Sequence, residues 1–146
     1  MTATYRLFAM DDRWLAHTPN PTWEDVTDGV MFDELDLEQC LIEWVFVHRS
    51  DALQYLTNGE FGPPGGYEEW DGRDCFMGFV SALATAEIAR LLAEKTPEEL
   101  LREATWIDAE FHERISRCLK IYYPELRRFI EEAVAQGRGL ACFFLD

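Results

Sequence analysis

After Gly137 and Gly139 the chain runs Leu140-Ala141-Cys142-Phe143-Phe144-Leu145, and these six consecutive apolar residues constrain the fold more than any other segment. The run is too short and too close to glycine for a core helix, and its unbroken apolarity is the mark of a strand buried on both faces. A buried strand needs partners. Thr4 to Ala9 alternates Tyr5, Leu7 and Ala9 with Arg6 and Phe8, the pattern of an edge or half-buried strand, and Cys75 to Val80 reads as a short strand.

The remaining signals are helical. Thr22 followed by Asp25 resembles an N-cap for a short helix from Trp23, and a longer helix is predicted from Asp36 through Leu37, Cys40, Leu41, Trp44 and Val45. Ser50-Asp51 is read as the cap of a helix that carries Ala52, Leu53 and Leu56 and stops at Asn58-Gly59. Thr85 is read as the cap of a helix through Ile88, Leu91 and Leu92. Thr96-Pro97-Glu98-Glu99 combines a cap, a first-turn proline and two acids against the helix dipole. A further helix is predicted from Asp108 with Phe111, Ile115, Cys118 and Leu119 inward. Pro124 is read as opening the last helix, with Leu126, Phe129, Ile130 and Val134 on its apolar face. The prediction is an α+β fold: a mainly helical single domain over residues 1–146, with a small sheet formed by the N-terminal, central and C-terminal strands. Whether the first strand lies beside the last is left open by the pattern. Residues 58–72, NGEFGPPGGYEEWDG, are predicted to form a long Gly/Pro-rich loop, and loops of that length are usually functional or mobile.

Charge narrows the function. The chain carries 13 Lys plus Arg against 28 Asp plus Glu, a formal charge of −15, with 48% hydrophobic and 14% aromatic residues. That apolar content excludes a disordered chain. The charge argues against direct nucleic-acid binding, which draws on Lys and Arg displacing counterions, and against anionic membrane surfaces. Residues 1–72 hold fifteen acids and three bases, a net of −12, and residues 73–146 hold thirteen acids and ten bases, a net of −3. Between Asn20 and Glu43 there are eight acids and no Lys or Arg. Such a run serves either as a solvated face or as a surface for a partner of opposite charge. Two tryptophans sit among the acids, Trp23 before Glu24-Asp25 and Trp70 within Glu68-Glu69-Trp70-Asp71. Aromatic anchors dominate interface hot spots and the surrounding charges steer the partner, although a tryptophan also pins a loop to a core.

Catalytic signatures are few. His17, His48 and His112 show no metal-ligand spacing, Ser81 lacks the nucleophile-elbow pattern, and the glycines after Asn58 lack the Lys and Ser/Thr of a phosphate loop. One helical set, Asp108 with His112 and Glu113, offers an acid that could orient an imidazole, an alternative reading as a small acid/base or metal-assisted enzyme. A housekeeping domain whose acidity serves solubility is a further alternative. Cys40, Cys75, Cys118 and Cys142 form no CxxC pair, and they read as small buried hydrophobes in a reducing compartment. Residues 1–10 show no signal-peptide pattern, so the expected location is cytoplasmic.

The stretches LDLEQCLIEW with LQYLTNGE, then ALATAEIARLLAEKTPEELLREA, then YYPELRRFIEEAVAQGRGLACFFLD are together similar to the YfbM-like family of uncharacterised bacterial proteins. The order of elements resembles that family over most of the chain beyond Phe32. The match departs where the helix after LDL usually carries Trp-His near its stop; here Trp44 and His48 stand at other positions. The resemblance implies an α+β fold and no activity. Relatives in this family look like components of polymorphic toxin loci, where small acidic proteins often serve as immunity factors; together with the net of −12 in the first half, the acid-flanked tryptophans and the lack of a catalytic set, this gives the expectation of a non-catalytic protein without cofactor or metal whose partner is a cognate toxin or effector domain with a basic surface. The expected partner-binding residues are Trp23, Glu24, Asp25, Asp28, Asp33, Glu34, Glu68, Glu69, Trp70 and Asp71.

Overall fold

The computed structural model describes residues 4–11, 31–48, 51–60, 62, 76–102 and 108–145. Four strands, β1 (Thr4–Met10), β2 (Met31–Leu37), β3 (Phe76–Val80) and β4 (Gly139–Leu145), form one antiparallel sheet in the order β2-β1-β4-β3. The described helices are α1 (Gln39–His48), α2 (Asp51–Asn58), α3 (Ala82–Glu94), α4 (Pro97–Arg102) and α5 (Ala109–Ala135). The α+β class holds.

The apolar tail takes the position its composition demands. β4 pairs with β1 on one side, Leu7 opposite Cys142, and with β3 on the other, Phe79 opposite Ala141. Leu140 and Cys142 join the helical core, while Ala141 and Phe143 are equally buried on the opposite face. β1 is therefore an interior strand rather than an edge, because the acidic segment after it supplies a second neighbour.

That neighbour is the main departure from expectation. Met31–Leu37 is a strand, not the approach to a helix from Asp36. Leu35 and Leu37 face the core and Glu34 and Asp36 face solvent, a period of two that suits a half-buried strand. Leu37 opposes Tyr5, and Asp36 opposes Arg6. The helix then starts at Gln39, where the Glu38 carbonyl accepts from the Leu41 and Ile42 amides at 2.9 and 3.2 Å.

Other expectations shift in detail. Ser81, not Thr85, caps α3: its Oγ accepts from the Ala84 amide at 3.1 Å, while the buried Thr85 hydroxyl donates to the Ser81 carbonyl at 2.8 Å. α4 begins at Pro97 as predicted, with Thr96 Oγ1 accepting from the Glu99 amide at 3.1 Å. Pro124 does not open a helix. It lies inside the 27-residue α5, whose apolar stripe from Ile115 through Leu119, Tyr123 and Leu126 to Ile130 is buried without a break. Continuous packing on both sides outweighs the one intrahelical hydrogen bond that proline removes. Cys40 and Cys118 are not free thiols but a disulfide between α1 and α5, with Cα atoms 6.1 Å apart. Cys142 is free and buried, its thiol donating to the Tyr55 carbonyl at 3.2 Å.

Two glycines are required by close approach. Gly59 ends α2 at φ +75°, and a Cβ there would meet Gly78 Cα at 2.6 Å. At Gly139 a Cβ would meet the Val80 carbonyl oxygen at 2.3 Å. The helix predicted from Trp23 lies outside the described residues, as does all of the 58–72 loop beyond Asn58, Gly59, Glu60 and Gly62.

Candidate functional site: an acidic strand beside a cleft

The sequence concentrates acids where the sheet ends. Among the described residues β2 is the edge of the sheet, with a strand partner on one side only, and its outward residues Glu34 and Asp36 have side chains 62% and 50% exposed. Arg6 on β1 faces both: its guanidinium Nε donates to Asp36, and Nη1 lies 3.9 Å from Glu34. The hydrogen bond to Asp36, ahead of the field of the two carboxylates, pushes the Arg6 pKa above its ordinary value. The pair is exposed, so it orients Arg6 more than it stabilises the sheet.

α5 crosses beneath this edge. Glu34 and Leu35 from β2 and Glu125, Arg128, Phe129 and Glu132 from α5 enclose a cleft of about 190 Å³. Phe129 is buried and forms an apolar floor, and the three carboxylates with one guanidinium form the rim. Positions 125, 128 and 132 fall on one helix face by their spacing. Chemically this arrangement suits a cation or a cationic side chain with an apolar stem.

The residues predicted from sequence are distributed unevenly. Glu34 lies at the cleft. Asp33 lies on the same strand, and its side chain is not described. Trp23, Glu24, Asp25, Asp28, Glu68, Glu69, Trp70 and Asp71 lie outside the described residues. Sequence reasoning missed Glu125, Arg128 and Glu132. Their spacing is visible as the polar border of the apolar stripe, but the 90 residues between Glu34 and Glu125 hide the pairing.

The histidine set is arranged differently from the catalytic alternative. Asp108 is the N-cap of α5: Oδ1 accepts from the Phe111 amide at 2.7 Å, and its carbonyl accepts from the His112 amide at 3.0 Å. A carboxylate that holds a helix end is drawn away from orienting the imidazole, and His112 and Glu113 are exposed. Among the described residues no group of three or more His, Cys, Asp or Glu is placed to hold a metal ion. No helix among them is long and apolar enough to cross a membrane.

Comparison with known proteins adds one match. A solved structure described as a protein of unknown function, YfbM from Escherichia coli, superposes with a TM-score of 0.59 over 99% of this chain and 100% of its own, at 14% identity. The fold is YfbM-like. The match covers nearly the whole chain, and at this identity it speaks for the fold alone. No protein-family model and no curated protein sequence matches the chain.

Proposed function

We propose that this chain is a non-catalytic, acidic protein-binding domain, an immunity-type inhibitor that neutralises a cognate bacterial toxin by covering its basic active site. The observation that carries the reading is the acid-bearing edge strand β2 set beside the carboxylate-rimmed cleft. An effector that acts on nucleic acids or nucleotides carries cations where substrate phosphates sit, and a carboxylate-rich edge fits that place. The net of −12 in residues 1–72 extends the same field and speeds encounter with a basic partner. The segments around Trp23 and Trp70 supply the aromatic anchors.

The test is to mix the protein with the product of the adjacent gene and measure affinity across salt concentrations. Glu34→Lys and Glu132→Lys probe the cleft, and charge reversal at Glu24, Asp25, Glu68 and Glu69 probes the two tryptophan segments. Affinity that falls with salt and drops about tenfold or more on reversal supports the reading. Affinity indifferent to all these reversals refutes this surface as the interface.

A further inference from the structure

We propose that the Cys40–Cys118 disulfide is a reversible latch that fixes the opening of the β2–α5 cleft, so that the acidic site responds to thiol–disulfide exchange. This rests on the reading of that cleft as part of the partner surface, but the latch itself is tested separately.

The argument is one of placement. Cys40 lies in the first turn of α1, three residues beyond Leu37, the end of β2. The Glu38 carbonyl between them holds the Leu41 and Ile42 amides, so strand and helix turn as one corner. Cys118 lies on α5 seven residues before Glu125, roughly 10 Å along the helix axis. The bridge therefore ties the element that carries Glu34 and Leu35 to the helix that carries Glu125, Arg128, Phe129 and Glu132. Other contacts between α1 and α5 are non-covalent, among them the Glu43–Arg114 ion pair at 3.0 Å and the edge-on Trp44–Tyr123 rings at 5.9 Å. They hold the two helices together when the bridge opens but leave the corner free to shift.

The two ends of the bridge differ in exposure. Cys40 is half-buried, whereas Cys118 is 6% exposed. An external thiolate, such as that of glutathione, attacks Cys40 Sγ; the S–S bond breaks, and the electron pair leaves on Cys118 Sγ, which takes up a proton. A second glutathione thiolate attacks the mixed disulfide, releasing Cys40, which is protonated in turn, and glutathione disulfide. Two glutathione thiols are oxidised and one protein disulfide is reduced. The reverse sequence, driven by glutathione disulfide, closes the latch. Cys142 takes no part, being buried and engaged with the Tyr55 carbonyl.

The protein is equilibrated in glutathione buffers of graded ratio, alkylated after denaturation to count thiols by mass, and followed in parallel by hydrogen exchange. The expected result is a gain of two thiols on reduction, with exchange rising about tenfold or more at residues 31–40 and 125–132 while α3 and β4 stay protected. Cys40→Ser with Cys118→Ser should reproduce the reduced pattern, and reduced wild-type protein stands in if that variant does not fold. The latch is overturned if the two thiols are already free in oxidising buffer, if exchange at those segments is unchanged by reduction, or if the whole molecule loses protection together. Binding of a deca-lysine peptide separates the two readings. Equal binding in both redox states removes the regulation, and no binding in either state counts against the proposed partner surface while the exchange data judge the latch.

Discussion

Tyr123 shows how one side chain links two helices and senses pH. Its hydroxyl donates to the Leu92 carbonyl at 2.6 Å from a site 5% exposed, and burial pushes its pKa up to about 12. The neutral phenol is favoured in the fold, so stability is unaffected below pH 10 and is lost as pH rises from 10, where the unfolded phenol ionises, to about 12. Tyr123→Phe should cost about 1 kcal/mol at pH 7 and flatten part of the loss between pH 10 and 12, as read from urea midpoints. A variant with an unchanged alkaline loss would contradict this. Cys142, pushed up to about 12 by burial in the same way, contributes to that alkaline loss from pH 9 upward. At Gly59 the left-handed φ and the contact with Gly78 act together, so Gly59→Ala should lower stability by roughly 2 kcal/mol or more in a thermal melt. The glycine stop after Asn58 was legible in the sequence. The choice between Ser81 and Thr85 was not, because two hydroxyls four residues apart carry the same capping chemistry and only the entry of the chain from β3 decides which one sits at the helix end.

At the scale of elements, legibility followed periodicity. α2, α4 and the start of α5 at Asp108 are readable because cap and apolar spacing agree, and β3 is readable as a short apolar run. β2 is hidden in the sequence because Leu37, Cys40 and Leu41 continue at helical spacing into α1, which masks the two-residue alternation of Glu34, Leu35, Asp36 and Leu37. The sequence divides α5 at Pro124 because proline is a local signal, whereas the burial that carries the helix through it is not local. Pro124 is exposed, so Pro124→Ala should restore a hydrogen bond at no cost in packing and raise stability by about 1–3 kcal/mol. A lower melting temperature would show that the proline shapes α5 in a way the packing needs. The cap at the other end is expected to be worth about 1 kcal/mol, lost in Asp108→Ala. The disulfide closes a loop with a sequence separation of 78, and Cys40→Ser with Cys118→Ser should lower the unfolding free energy by about 2–4 kcal/mol relative to the oxidised protein.

Across the whole molecule, the charge of −15 is concentrated in the first half, and part of that acidity lines the edge of the sheet. Self-repulsion of this size should make stability rise with salt: the urea midpoint is expected to increase on adding about 0.5 M sodium chloride, and a midpoint that falls would show the acids to be held mainly by ion pairs. The excess acid and its position before Gly72 were plain in the sequence. The cleft was not, because it is made by β2 meeting the second half of α5 across most of the chain. The order β2-β1-β4-β3 also bears on how the protein is made. On the ribosome, β1 and β2 emerge early and can zip into a hairpin, but β3 must wait for β4, since β4 is its neighbour in the sheet. The central place stays vacant until Gly139–Leu145 leaves the exit tunnel, so up to that point the nascent chain carries β3 without its neighbour in the sheet, and closure waits on strands far apart in sequence.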